Sequence, residues 1–478
     1  MDRRVTIVTE GSRGDWQPSV AAGAALRQAG FQVQLLGSTD VKAMAQQYDL
    51  FFVETWPISS KDYSTQPKQV EAITENNFVK LTAAAAAIRE PMHELVLTRT
   101  VEALKTFKPD VVLTSLLSFV ETLFICKALK IPVLFFGLQP MLASRHVGVM
   151  GVFPVLPDVF RLNLRLWDCL NRHFVSMVNT TAGPILEKLL QVPKRSFSAS
   201  LAELYEHCSC HPRYPILFGI SGTLHLPLPP DFTEMCKVLG PMELEKQEGK
   251  DFGEEEDSAA LERFLAEGEA PVYIGYGSMI CRSGRYMTEL SVRALMLAQR
   301  RGVLLGGFAE MSEQKVEDLE LLAYCKEKVL FVESAAHAKL FPKCRVIVHH
   351  GGSGTTNACA KSGVPSVVTP VFYDQFPNAR LVQKLGVGIG LTKGLNKITA
   401  QELANAITSA EAPDARQKAL ELAEKVTQED GPARLVLEIK NFLRDFVDTG
   451  AYGRDKENWA KRELADTRWA CCPSFWQK

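Results

Sequence analysis

One stretch of the chain, residues 346–379, constrains the fold more than any other. It reads VIVHHGGSGTTNACAKSGVPSVVTPVFYDQFPNA. A β-branched run predicts a buried strand, and a cluster of glycines then interrupts it. The short segment that follows can only be a helix, because Gly363 suits its C-terminal cap and Pro365 forbids its continuation. A second apolar strand is predicted at residues 366–371, so the order strand, glycine turn, helix, strand indicates an α/β sheet.

The glycine turn predicts a binding site for an anion. It leaves bare backbone N–H groups at the positive end of a helix, with no side chains to block a ligand. His350 and Thr355 add hydrogen-bond donors beside it, so we interpret the turn as a diphosphate site. Asp374 and Gln375 follow the next strand and lie at the same edge of the sheet, where they can bind sugar hydroxyls. The alternative is a tight structural turn followed by a solvated Asp–Gln pair.

The start of the chain repeats the same order of elements. Residues 5–8 predict a strand, GSRGDWQP at residues 11–18 a loop, and residues 19–29 an alanine-rich helix. The G-x-x-G spacing of this loop is not the dinucleotide fingerprint G-x-G-x-x-G, which weakens the alternative of a nicotinamide-dependent oxidoreductase. Asp15 follows the first strand directly. Spacing alone leaves open whether it is a general base facing a cleft or the cap of the helix.

These two motifs carry a resemblance to a known family. GSRGDWQP and HHGGSGTTNACAKSGVPSVVTPVFYDQFPNA resemble the signatures of the UDP-dependent glycosyltransferases, and are most similar to those of the sterol and glycolipid glucosyltransferases. The similarity covers residues 4–447. It implies the α/β GT-B fold, in which two Rossmann-like domains face each other across a cleft. It also implies hexose transfer, with glucose expected, from a UDP-sugar co-substrate to a hydrophobic alcohol such as a sterol.

The resemblance also assigns roles to individual residues. It favours Asp15 as the catalytic base, and a single displacement by the acceptor predicts inversion at the anomeric carbon. No paired carboxylates indicate a metal, and no cofactor beyond the UDP-sugar is expected. The expected donor-binding residues are Ser12, Arg13, Gly277, Ser278, Ser334, His337, His350, Gly352, Ser353, Gly354, Thr355, Asp374 and Gln375. Trp16, and the residues at 336, 338 and 339, depart from the pattern of the family.

An apolar, proline-broken run within residues 139–190 is the expected acceptor region. In the resembling family this part of the chain shapes the acceptor pocket, whereas ordinary helix packing is the alternative. The acceptor-binding candidates are Met141, Met150, Phe153 and Phe160. The sequence does not identify the acceptor, so a small aglycone remains an alternative to a lipid. A non-catalytic nucleotide- or lipid-binding protein on the same fold is a further alternative.

Length and composition limit the other possibilities. The chain has 478 residues, which predicts two domains. We expect an acceptor-binding domain at 1–240, a charged linker at 241–258, a donor-binding domain at 259–431, and a closing helix and tail at 432–478 that pack on the first domain. The net charge of −1 gives no field that would attract nucleic acid.

Cysteine usage and apolar segments bear on location. The eleven cysteines are mostly scattered singly, and the chain begins without the apolar core of a signal peptide. These features predict a reduced, cytoplasmic location, and the tryptophans of the tail leave peripheral contact with a membrane open. The segment HCSCH at residues 207–211 is too tight for a zinc site and is interpreted as a loop with thiols. The oligomeric state is not predicted.

Overall fold

The N-terminal half of the chain is built on a seven-stranded parallel sheet. The computed structural model describes residues 3–149, 155–156, 159–244 and 258–456. The strands are β1 (Arg4–Val8), β2 (Gln32–Ser38), β3 (Phe51–Trp56), β4 (Val111–Thr114), β5 (Val133–Gly137), β6 (Ile216–Phe218) and β7 (Cys236–Val238). Their order in the sheet is β3-β2-β1-β4-β5-β6-β7. Apolar clusters cover both faces of this sheet, as parallel strands require.

Helices connect these strands and cover the two faces. They are α1 (Arg13–Gln28), α2 (Val41–Gln47), α3 (Ser60–Ser64), α4 (Pro67–Thr74), α5 (Phe78–Arg89), α6 (His93–Phe107), α7 (Phe119–Leu129), α8 (Leu162–Thr181), α9 (Gly183–Leu190), α10 (Leu201–His207) and α11 (Gly222–His225). Within the described part of the chain, no helix is both long and apolar enough to cross a membrane.

The C-terminal half is built on a second parallel sheet, of six strands. The strands are β8 (Val272–Gly275), β9 (Gly302–Leu305), β10 (Val329–Val332), β11 (Val346–His349), β12 (Ser366–Val368) and β13 (Gly388–Gly390), in the order β10-β9-β8-β11-β12-β13. The helices are α12 (Ser258–Ala266), α13 (Gly284–Ala298), α14 (Leu319–Lys328), α15 (His337–Leu340), α16 (Ser353–Ser362), α17 (Gln375–Leu385), α18 (Ala400–Ala410), α19 (Pro413–Val426) and α20 (Gly431–Phe442). The two Rossmann-like sheets confirm the predicted fold class.

The last long helix, α20, returns to the N-terminal half. Asp430 caps it, since the Asp430 Oδ1 accepts a hydrogen bond from the backbone N–H of Ala433 at 2.9 Å. Its buried face, with Leu435, Ile439 and Phe442, joins the apolar core on one side of the first sheet. The chain therefore crosses between the halves twice, once before α12 and once at α20. After α20 the chain continues as a π-helix over Leu443–Asp448.

One predicted boundary is wrong. The loop expected at residues 11–18 is short, because α1 begins at Arg13 rather than at residue 19. Ser12 is the N-cap residue, and the carboxylate of Asp15 accepts a hydrogen bond from the Ser12 backbone N–H at 2.8 Å. This capping interaction starts the helix early, and Pro18 lies inside it at the loss of one backbone hydrogen bond.

Sequence reasoning assigned no structure to residues 60–78, which form α3, α4 and the start of α5. This segment leaves the first sheet and contacts the C-terminal half. Val70 and Ile73 of α4 pack against the core of the second sheet, and Thr74 Oγ1 accepts a hydrogen bond from the Arg282 backbone N–H at 2.7 Å. Lys61 of α3 forms an ion pair with Glu310 at 2.8 Å. The segment therefore bridges the two halves beside the cleft.

Candidate active site

The glycine turn after β11 is fixed by its neighbours. Gly351 has a φ of +95°, which favours glycine, and a Cβ on it would lie 2.7 Å from Val368 Cγ1. The Gly351 carbonyl accepts a hydrogen bond from Asn378 Nδ2 at 2.8 Å. Gly352 is the N-cap of α16, and no side chain caps that helix. The first N–H groups of α16 therefore have no side-chain cap, which suits an anion.

His350 lies beside this turn and is buried. Glycines make room for its ring: a Cβ on Gly277, which has a φ of +58°, would lie 3.0 Å from His350 Cε1, and a Cβ on Gly352 would collide with His350 Nε2. Burial, together with the nearby His337, lowers the pKa of His350 to about 4. The ring is therefore neutral at pH 7, and it offers one N–H donor and one acceptor nitrogen.

His337 follows β10 and lies at the same edge of the sheet. Its ring stacks on Phe341 with centroids 4.3 Å apart, and its Nε2 lies 3.2 Å from the Tyr273 hydroxyl. Burial, and then the charge of Arg13, lower the pKa of His337 to about 4. The effect of Arg13 places the start of α1 opposite the second sheet. Ser278 and Ser334 lie half-buried on the loops after β8 and β10.

Asp374 and Gln375 follow β12, but they do different things. The Asp374 Oδ2 accepts a hydrogen bond from Gln139 Nε2, in the N-terminal half, at 2.9 Å. Burial, and then the charge of Asp15, raise the pKa of Asp374 to about 7. The Gln375 Oε1 instead accepts hydrogen bonds from the backbone N–H groups of Val371 at 2.8 Å and Phe372 at 3.0 Å. Gln375 therefore shapes the loop that carries Asp374.

Asp15 takes part in capping α1, one of the two roles that the sequence left open. It lies in the first turn of α1, where its Oδ2 accepts hydrogen bonds from the backbone N–H of Ser12 at 2.8 Å and from Ser12 Oγ at 3.2 Å. The carboxylate lies against Gly11, which has a φ of +112°. Burial raises the pKa of Asp15 to about 6, and the two hydrogen bonds from Ser12 oppose that rise. A carboxylate with this pKa accepts a proton near neutral pH.

The remaining residues around the turn differ in what they contact. Ser353, expected at the donor, donates its hydroxyl to the backbone carbonyl of Leu138 at 3.1 Å, across the two halves. A Cβ added to Gly354 would meet no atom within 4 Å, so this position opens towards free space. Thr355 is half-buried one residue further along α16. The carboxyl edges of the two sheets thus face each other at this point.

Two of the four acceptor candidates, Met141 and Phe160, lie within the described residues. Met141 is buried. Phe160 is 77% exposed, and it precedes Arg161 in a pair of left-handed residues that turns the chain into α8. Its ring is therefore accessible, and its assignment as an acceptor-binding residue stays a prediction. Met150 and Phe153 lie outside the described residues.

A cluster of charged side chains beside Asp15 was not found from the sequence. Glu10 Oε1 accepts from Arg89 Nη1 at 2.6 Å, and Arg89 Nη2 donates to Glu121 Oε2 at 3.2 Å. Glu121 Oε1 lies 3.0 Å from His93 Nε2. These residues come from the end of β1, α5, α6 and α7, so no local spacing indicates them. No group of three His, Cys, Asp or Glu side chains that could hold a metal occurs in the described parts of the chain.

Comparisons with known proteins agree with this geometry. A family model described as the C-terminal domain of erythromycin biosynthesis protein CIII-like proteins matches residues 309–442. The sterol 3-beta-glucosyltransferase of Vanderwaltozyma polyspora is 30% identical over 447 residues, which are 89% of this chain and 33% of that protein. One from Arabidopsis thaliana is 26% identical over 446 residues, which are 91% of this chain and 64% of that protein. The chain thus spans about a third of the length of the yeast relative.

Solved structures show the same architecture. The calicheamicin glycosyltransferase CalG4 superposes with a TM-score of 0.61 at 16% identity, covering 93% of this chain and 98% of that one. The glycosyltransferase of kitacinnamycin gives a TM-score of 0.60 at 19% identity, covering 92% and 99%. The chain has the GT-B fold. It is similar to the sterol 3-beta-glucosyltransferases over most of its length, so the resemblance carried by the two motifs is confirmed.

Proposed function

We propose that the protein transfers a hexose, with glucose as the first candidate, from a UDP-sugar to the hydroxyl of a hydrophobic acceptor such as a sterol. The observation that carries the proposal is the meeting of Asp15, from the N-terminal half, with the glycine turn and Asp374 of the C-terminal half. The charge of Asp15 acts on Asp374, and Gln139 bonds to Asp374 across the same gap. A buried carboxylate beside an anion site has the composition that glycosyl transfer needs.

The diphosphate of the donor would occupy the glycine turn. The uncapped start of α16 offers backbone N–H groups and the positive end of the helix dipole to the leaving group. Neutral His350 would donate one further hydrogen bond, and Arg13 is the nearby cation from the opposite half. These groups stabilise the negative charge that develops on the diphosphate as its bond to the sugar breaks. We propose that they do so without a divalent metal.

Asp15 would act on the acceptor. As the acceptor oxygen forms its bond to the anomeric carbon, the bond from that carbon to the diphosphate breaks, and the acceptor proton passes to Asp15. A carboxylate with a pKa of about 6 cannot remove the proton of an alcohol beforehand, so the transfer is concerted with attack. One displacement inverts the configuration at the anomeric carbon. Asp374 would hold the sugar hydroxyls in line.

The relatives support the classes of substrate. The solved glycosyltransferase SsfS6, with a TM-score of 0.54 and 17% identity, is described in complex with thymidine diphosphate, a nucleoside diphosphate. Several yeast relatives are named sterol 3-beta-glucosyltransferases. We propose that residues 259–431 bind the donor and that residues 1–240 bind the acceptor. A cytoplasmic location remains part of the proposal.

Product analysis tests the function directly. The purified chain is incubated with UDP-glucose, UDP-galactose or UDP-glucuronic acid and a lipid extract containing sterols, and the products are identified by mass spectrometry. We expect a hexosylated sterol or other lipid alcohol, formed equally well in EDTA and about 10²- to 10⁴-fold more slowly with Asp15→Asn. Tight binding of UDP without any product would favour the alternative, a non-catalytic binding protein on the same fold.

A further inference from the structure

The charged cluster beside Asp15 leaves one oxygen unused. We name it the Glu10 cluster, comprising Glu10, Arg89, His93 and Glu121. Glu10 Oε1 is held by Arg89, but Glu10 Oε2 is buried and makes no hydrogen bond within the described part of the chain. A buried carboxylate oxygen without a donor is unfavourable, and natural proteins keep few of them unless they serve a ligand.

The position of this oxygen is fixed by the cluster. The Arg89 guanidinium lies over the Trp56 ring at 4.6 Å and donates to both carboxylates, so the arginine cannot turn to Oε2 without losing its stack on Trp56. Glu121 is occupied by Arg89 and His93. The cluster therefore holds Glu10 in one orientation and satisfies only one side of it. Such rigid support is typical of groups that recognise a ligand.

Glu10 also lies next to the proposed base. It immediately precedes Gly11, and the Asp15 carboxylate lies against Gly11. The charge of Asp15 contributes to raising the pKa of Glu10 to about 7, although burial is the larger cause. Both carboxylates thus belong to one space at the carboxyl end of β1. A ligand that presents a hydroxyl to Asp15 has its neighbouring atoms close to Glu10.

A short helix covers this space. Burial, and then the charge of Glu10, raise the pKa of Tyr63, so this residue of α3 lies close to the cluster. None of the residues of α3 is buried, and its ion pair from Lys61 to Glu310 is about half exposed on both sides. Exposed ion pairs of this kind contribute little stability. This ion pair therefore contributes little to holding α3 over the cluster.

We propose that Glu10 is a specificity-determining residue whose Oε2 accepts a hydrogen bond from a second hydroxyl of the acceptor, adjacent to the hydroxyl that is glycosylated. The titratable groups that face Glu10 are Arg89, Glu121, Asp15 and His93. At pH 8, above the pKa of about 7 of Glu10, the carboxylates of Glu10, Glu121 and Asp15 outnumber the cation of Arg89, which favours a donor over an acceptor at the vacant position. This inference rests on the proposed function, in that Asp15 meets the reacting hydroxyl.

Matched alcohols test the proposal. The two pairs are cholesterol with 4β-hydroxycholesterol, delivered in detergent micelles, and 1-decanol with 1,2-decanediol. Binding to the UDP-saturated protein is measured by calorimetry at pH 8, where Glu10, with a pKa of about 7, is mostly ionised, and turnover is measured with UDP-glucose. We expect the diol of at least one pair to bind on the order of 10- to 100-fold more tightly than its mono-alcohol, as a hydrogen bond to a charged group provides.

Variants separate recognition from structure. Glu10→Leu removes the free oxygen at similar size, so the affinity ratio should fall to near one through weaker binding of the diol. Glu10→Gln keeps an oxygen for Arg89 and places an amide at the free position. It therefore preserves the fold if the leucine variant does not. It should lower the ratio of diol to mono-alcohol affinity at least fivefold. Glu121→Gln is the matched control, because it weakens the same arginine contact but leaves Glu10 Oε2 in place and should keep the ratio.

Each outcome is decisive. Equal affinities in the wild-type protein for both pairs would overturn the proposal, and so would a loss in Glu10→Leu that affects mono-alcohol and diol alike, because Glu10 would then act on the shared hydroxyl. A diol preference that depends on Glu10, with no turnover of any alcohol, would support the inference and defeat the proposed function. Turnover without a diol preference would do the reverse.

Discussion

Replacement of Asp15 by Asn separates catalysis from capping. The substitution keeps the size of the side chain and an oxygen that accepts from Ser12, since Asn and Asp cap helices about equally well. It removes the proton acceptor. We therefore expect UDP binding to be unchanged and glycosyl transfer to fall by about 10²- to 10⁴-fold.

The same substitution should stabilise the protein, and the amount follows from the pKa. Burial raises the pKa of Asp15 from its ordinary value of 3.8 to about 6, and this rise corresponds to about 3 kcal/mol. Because the folded protein holds the proton more tightly than the unfolded chain, stability is lost as the pH rises through about 6. Asn carries no such charge, so Asp15→Asn should raise the free energy of unfolding by up to about 3 kcal/mol at pH 8 and about 1.5 kcal/mol at pH 5.

Three measurements check this reasoning. Denaturant unfolding at pH 5 and pH 8 gives the stability difference, calorimetry gives UDP affinity, and product formation from UDP-glucose gives the rate. The wild-type rate of transfer should decrease as the pH is lowered, with a midpoint near pH 6. Glu10 and Asp374 have pKa values of about 7, and they will shift this midpoint because the three carboxyls interact. A transfer rate of Asp15→Asn within a few-fold of the wild-type rate would refute the role of Asp15 as the base. A lower stability of this variant at pH 8 would show that Asp15 acts only as a helix cap.

The remaining predictions concern the donor site. UDP should bind equally well in EDTA, as calorimetry will show, and abolished binding there would contradict a site built from backbone N–H groups. His350→Ala should weaken the binding of UDP itself, whereas Asp374→Asn should weaken the binding of UDP-glucose more than that of UDP. Equal effects of the two substitutions on UDP binding would contradict the division into phosphate and sugar contacts. Gly352→Ala should reduce UDP affinity about tenfold or more by displacing the His350 ring. Gly354→Ala, where a Cβ meets nothing, should change UDP affinity less than twofold. A larger loss with Gly354→Ala than with Gly352→Ala would refute the packing argument.

The sequence predicted what local patterns encode. The apolar strands β1 and β11 and the glycine after α16 follow from short-range preferences, and Gly363 has a φ of +67° as a C-terminal cap requires. The start of α1 was misplaced because residues 11–18 were assigned to a loop, whereas the interaction between Ser12 and Asp15 starts the helix at Arg13 and outweighs the backbone bond lost at Pro18.

Contacts between distant elements could not be predicted in this way. The Glu10 cluster joins four elements, and nothing in the spacing of Glu10, Arg89 and Glu121 brings them together. The bridge formed by α4 depends on Val70 and Ile73 meeting the second sheet. The motif predicts that Ser353 contacts the donor, yet in the structure its hydroxyl donates a hydrogen bond to the backbone carbonyl of Leu138. Only the relative placement of the two halves decides whether the Ser353 hydroxyl is free to contact a phosphate or bonds to Leu138.

That placement also explains why two costly carboxyls persist. Asp15 and Asp374 come from opposite halves, burial raises the pKa of both, and the charge of Asp15 raises that of Asp374 further. A sugar hydroxyl that donates to Asp374 and an acceptor hydroxyl that donates to Asp15 would each relieve this unfavourable arrangement. Each substrate should therefore stabilise the arrangement in which the two halves face each other. The unfavourable energy of the two buried carboxyls in the empty site is recovered when both substrates are bound in line.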